Sequence, residues 1–102
     1  MEVSAKHEGQ TLTFFLVGEL DHHGAKGLLE NLEREIERTL PLSLVLDFSG
    51  VTFMDSSGIG VIIGRTKKLK YFNDSSVSVC NMSDRVDKLL KCAGIYTIVH
   101  KL

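Results

Sequence analysis

The run Ser43-Leu44-Val45-Leu46-Asp47-Phe48, followed past Ser49–Met54 by Asp55-Ser56-Ser57-Gly58-Ile59, decides how this chain folds. Six residues apolar on both faces for most of their length predict a strand covered on both sides, hence central and parallel. Ser49 to Met54 reads as a loop. A helix then runs from about Ser57 to Tyr71, with Ile59, Ile62, Ile63, Thr66 and Leu69 on its buried stripe. A strand that feeds a helix is half of a crossover unit, and a crossover joins parallel strands.

Upstream, Thr11 to Val17 is β-branched, aromatic and apolar and predicts a strand. Glu2 to Glu8 alternates weakly, and Glu8-Gly9-Gln10 reads as a tight turn, so the two segments form a hairpin. Gly18 interrupts the second strand. Asp21 is then placed to cap a helix whose apolar residues Ala25, Leu28, Leu29, Leu32, Ile36 and Leu40 recur at helical spacing until Pro41. Downstream, Asn73-Asp74-Ser75 is a turn and Val77 to Cys80 a strand. Ser83 or Asp84 caps a third helix with Val86, Leu89, Leu90 and Ala93 buried and Gly94 just past its end. Tyr96 to Val99 reads as a last strand. The order is an opening hairpin followed by β-α-β-α-β-α-β. It predicts an α/β fold: one domain with a mixed sheet flanked by helices.

With 102 residues, 43% of them hydrophobic and 25% charged, the chain is one domain with one core. A net charge of -1 offers no basic footprint for nucleic acid or for an anionic membrane. The basic cluster Arg65 to Lys70 is expected to stay in water near a helix end. Met1 to Gly9 is polar, and no apolar run approaches the ~20 residues of a membrane span. Cys80 and Cys92 fit no metal spacing and are expected as buried, reduced thiols. These features point to a cytoplasmic protein.

In parallel sheets, functional surfaces form at the carboxyl ends of the strands. Two helix-opening loops meet that condition: Gly18-Glu19-Leu20-Asp21-His22-His23 and the segment around Asp55-Ser56-Ser57-Gly58. At the second, adjacent hydroxyls sit where backbone amides are unpaired and the helix dipole is positive, a setting that suits a phosphate on Ser56. Taken alone, Ser56 or Ser57 is better explained as a helix cap, because serine is among the commonest caps. A metal site at His22 and His23 lacks further ligands at suitable spacing. A serine hydrolase would need Gly-x-Ser-x-Gly, and Met54 stands two before Ser56. Gly58-Ile59-Gly60-Val61-Ile62-Ile63-Gly64 imitates a dinucleotide fingerprint, but its third glycine is one position late. Gly60 is expected to keep the first turn narrow, and Gly60 and Gly64 to let the helix lie close to the sheet.

Taken together, Gly18 to His23 and Phe53-Met54-Asp55-Ser56-Ser57-Gly58-Ile59-Gly60-Val61-Ile62 resemble the anti-sigma factor antagonists of the STAS domain family. Gly64-Arg65 and the strand and helix from Val77 onward fit as well, so the resemblance spans residues 1–102. It implies a non-enzymatic switch without cofactor or metal, most similar to the sporulation members of the family, with stress-response members as the alternative. In such a switch the unphosphorylated, monomeric antagonist binds an anti-sigma factor that is also a serine protein kinase. Phosphorylation at the position of Ser56 turns it off, and a serine phosphatase restores it. By the same resemblance Asp55, Ser57, Gly58 and Gly60 support the phosphosite. Glu19, Asp21, His22, His23 and Ile59 meet the partner, Asp21 opposite a basic residue. Two departures stand out: Asn73-Asp74-Ser75-Ser76 replaces a glycine-rich turn, and a further C-terminal helix, frequent in relatives, is not expected before Leu102.

Overall fold

The computed structural model describes residues 1–102, the side chain of Phe72 excepted. Strands β1 (Glu2–Glu8) and β2 (Thr11–Leu20) form the hairpin. Helix α1 (His22–Thr39), strand β3 (Ser43–Met54), helix α2 (Ser56–Asn73), strand β4 (Ser76–Cys80), helix α3 (Asp84–Cys92), a single 3-10 turn (Ile95–Thr97) and a two-residue strand β5 (His100–Lys101) follow. The five strands lie side by side in chain order, β1 antiparallel to β2 and the rest parallel. The expected mixed sheet and element order are therefore present.

Burial alternates along β2 and the first half of β3. Leu12, Phe14 and Leu16 of β2, Leu44, Leu46 and Phe48 of β3, and Val77 and Val79 of β4 point into one core with Leu28 and Leu32 of α1 and Ile62 and Leu69 of α2. Each such side chain contributes roughly 1.5–3 kcal/mol by leaving water. On the opposite face Phe15 and Val17 are exposed and Val45 and Asp47 only half-buried. So β3 is central and parallel as expected, but one of its faces is open; its apolar run reflects β propensity as much as burial.

Four further expectations are corrected. Ser49–Met54 is strand, because Gly50, Val51, Phe53 and Met54 pair with Val17, Gly18, Glu19 and Leu20 through two register shifts. For the same reason Gly18 lies within β2 instead of ending it. Tyr96–Val99 is not a strand: Ile98 and Val99 donate their amides to the Ile95 carbonyl, and Ile95 is fully buried. Gly94, with φ 74°, provides the left-handed turn after α3 that starts this segment. The thiols are both free, as expected, but Cys92 is exposed and Cys80 half-buried.

The C-terminal segment is fastened by a charged cluster. Tyr96 Oη donates to Asp87 Oδ1 at 2.5 Å, and Lys101 Nζ lies 2.9 Å from the same oxygen. Partial burial, then the carboxylate, pushes the Tyr96 phenol above its ordinary value of 10.0, while Tyr96 and Lys101 hold Asp87 below 3.8. A raised phenol favours the fold below its unfolded value and loses that contribution as the pH rises. A depressed carboxyl contributes near neutrality and loses it as the pH falls through its folded value. Thermal melts should therefore show a steeper loss of stability above about pH 10 in the wild type than in Tyr96→Phe. Equal alkaline slopes would refute the coupling.

Candidate functional site

Two helix starts of the same construction stand side by side at the carboxyl edge of the sheet. β2 ends at Leu20 and β3 at Met54, and these two residues are register partners. One residue on, each chain has an aspartate in extended conformation acting as a helix cap. Asp21 Oδ1 accepts from the Gly24 amide at 2.8 Å, and Asp55 Oδ1 from the Ser57 amide at 2.9 Å. The Asp55 amide in turn donates to the Leu20 carbonyl at 3.3 Å.

Glycine makes the approach possible at two points. A β-carbon on Gly58 would stand 2.7 Å from Leu20 Cγ, so α2 begins directly against the end of β2. One on Gly24 would stand 2.1 Å from the Glu19 carbonyl oxygen, because the loop before α1 folds over its first turn. The topology thus brings the two loops singled out in the sequence into one site.

Within it, Glu19, His22, His23 and Ser56 are exposed, Asp21, Asp55 and Ser57 half-buried. Asp55 takes the capping role, so neither serine is the N-cap, and the helix begins at Ser56, one residue earlier than expected. Among the described residues, no hydrogen bond engages the Ser56 hydroxyl, and none joins either serine to a histidine. Ile59, expected at the partner surface, is instead only 9% exposed and packs in the core, which leaves little of it for a partner. Phe53, quoted above only as part of the motif, is 37% exposed at the end of β3, a position that depends on the strand replacing the expected loop.

The capping assignment has a measurable consequence. Asp55→Ala should cost about 1 kcal/mol, a fall in Tm of about 4–8 °C, whereas Ser56→Ala should change it little. The reverse ranking in thermal melts would return the cap to the serine.

Alongside the site, a groove of about 430 Å³ runs between α1 and α2. Gly60 and Gly64 form part of its floor. Both are exposed, and a β-carbon on either would meet no atom within 4 Å, so they neither narrow the first turn nor bring α2 closer to the sheet. Each still weakens the helix by about 1 kcal/mol relative to alanine. Arg65, expected in water, is 21% exposed: it pairs with Glu33 at 3.0 Å, and its Nε is buried with no hydrogen-bond partner among the described residues. Among the described residues no three His, Cys, Asp or Glu side chains gather as a metal site, and no helix is long and apolar enough to cross a membrane.

Two adjacent capped helix starts, one bearing an exposed serine, on a five-stranded sheet in chain order define a small α/β binding domain. Residues 2–102 match the STAS domain, and the chain belongs to that family. It is 32% identical to the anti-sigma F factor antagonist of Paenibacillus polymyxa, over 97% of this chain and 84% of that one. With the anti-sigma-B factor antagonist of Bacillus subtilis it shares 29% identity over 97% of this chain and 88% of the relative. The Bacillus cell fate determinant SpoIIAA, solved in its phosphorylated form, has the same fold: TM-score 0.76 at 24% identity, covering 99% of this chain and 91% of that one.

Proposed function

We propose that this STAS domain is an anti-sigma factor antagonist switched at Ser56. In the unmodified state the surface made by Glu19, Asp21, His22, His23 and Ser56 binds an anti-sigma factor that is also a serine kinase, and the sigma factor is released. The kinase transfers the γ-phosphoryl group of ATP to Ser56 Oγ, with ADP and the hydroxyl proton as the other products; a serine phosphatase hydrolyses the ester and resets the switch. The reading places the protein in the cytoplasm as a monomer, without cofactor.

The observation that carries this reading is the Ser56 side chain. It is exposed, makes no hydrogen bond among the described residues and opens a helix whose capping is already done by Asp55. A phosphate there adds about -1.5 to -2 charge beside the Asp21 and Asp55 carboxylates. Within a desolvated interface a dianion that faces an acid or an apolar patch of the partner disrupts binding. The positive helix end tolerates it within the protein, so release needs little change of fold. The names of the relatives support the antagonist role, and the higher similarity to the sigma F antagonist favours sporulation control. A stress-response pathway is the second reading, supported by the sigma-B relatives.

The test is incubation of the purified protein with anti-sigma F and anti-sigma-B kinases and ATP, followed by peptide mass spectrometry. One phosphate on Ser56, absent from Ser56→Ala, is expected. Phosphate on another residue, or none, would overturn the assignment.

A further inference from the structure

The α1–α2 groove has no role in the switch as described, yet its walls are of one sign. Its charged side chains are Lys26 and Arg65, with His22 at one end and no carboxylate among the lining residues. Among the described residues Arg65 is satisfied only in part, by Glu33, its buried Nε has no hydrogen-bond partner, and Lys26 has no ion pair. Gly60 and Gly64 leave the backbone of α2 bare to the groove, at positions where a side chain would fit freely and strengthen the helix. Glycine in an exposed helix interior is understandable where another chain must approach the backbone closely. Ser57 also lines the groove, so it opens directly beside Ser56 and continues the surface proposed to bind the anti-sigma factor.

We infer that this groove seats an acidic segment of the anti-sigma factor, its backbone against Gly60 and Gly64 and a carboxylate directed to Lys26 and Arg65. The inference rests on the antagonist reading above. It adds a second contact that Ser56 phosphorylation does not itself occupy, one that fixes the partner's orientation over the serine. Charge complementarity and continuity with the switch surface select an acidic protein segment over a second copy of this chain, which would have to present its own acidic faces.

Titration calorimetry with the purified anti-sigma F factor of Paenibacillus polymyxa as the probe tests it, using wild type, Gly60→Ala/Gly64→Ala, Lys26→Glu and Ser56→Glu. The double alanine variant should melt higher by about 5 °C or more and yet bind at least about tenfold more weakly. Lys26→Glu, at an exposed position, should weaken binding by a similar factor and flatten its salt dependence. If the double variant melts lower, the fold itself needs the glycines and the inference falls. If both groove variants bind like wild type while Ser56→Glu does not, the groove is unused and the antagonist reading stands. If wild type does not bind, the sigma F reading and the groove fail together, an outcome distinct from the other two.

Discussion

Ser56→Glu is expected to lower affinity for the anti-sigma factor by about a hundredfold or more while leaving Tm within a few degrees of wild type. A hundredfold corresponds to about 2.7 kcal/mol, within the range for placing like charges together in a desolvated interface. The neutral or slightly favourable effect on stability follows from position. Ser56 is the first residue of α2, its side chain makes no hydrogen bond among the described residues, and an acid there meets the positive end of the helix. Calorimetry on the partner and thermal melts of the antagonist read the two quantities separately. A Tm lowered by more than about 10 °C, or amide shifts spread across the sheet, would mean that the charge acts by unfolding the site. Retained affinity would mean that Ser56 lies outside the interface.

The second large effect is expected at Gly24. An alanine β-carbon there would lie 2.1 Å from the Glu19 carbonyl oxygen and 3.2 Å from its carbon. Both are backbone atoms, so no rotamer change relieves the overlap. Either the loop Glu19–Asp21 moves, breaking the Asp21 cap, or α1 shifts on the sheet. Overpacking of this kind costs about 1–3 kcal/mol, and loss of the cap adds about 1. A fall in Tm of about 10 °C or more should accompany Gly24→Ala, with amide shift changes concentrated between Glu19 and Ala25. Gly27→Ala is the control. Nothing lies within 4 Å of that β-carbon, and the substitution should be neutral or stabilising. Equal stability of the two variants would show that the loop is not tied to α1 as described.

Features encoded within a few residues were legible from the sequence. The Asp21 cap, the hairpin at Gly9, the stripe of α1 from Ala25 to Ile36, the Ser83 cap and the glycine turn at Gly94 all depend on local backbone preferences and periodicity; Leu40, expected on that stripe, is the exposed C-cap instead. Features that depend on what lies opposite were not. Ser49–Met54 is strand only because Val17–Leu20 pairs with it. Tyr96–Val99, strand-like in composition, turns because Ile95 is drawn into the core. The open face beside β3 and the bare, exposed positions of Gly60 and Gly64 are likewise invisible without neighbours.

The site divides in the same way. By itself the sequence determined the residues: two acid-led helix starts, a serine pair and the family that joins them. The tertiary structure decided their roles, because hydrogen bonding and burial are shared between distant segments. The Leu20–Met54 pairing sets the two starts side by side, Asp55 rather than a serine caps α2, and Ile59 turns inward. Ser56 is left exposed beside the two aspartates and, among the described residues, without a hydrogen bond.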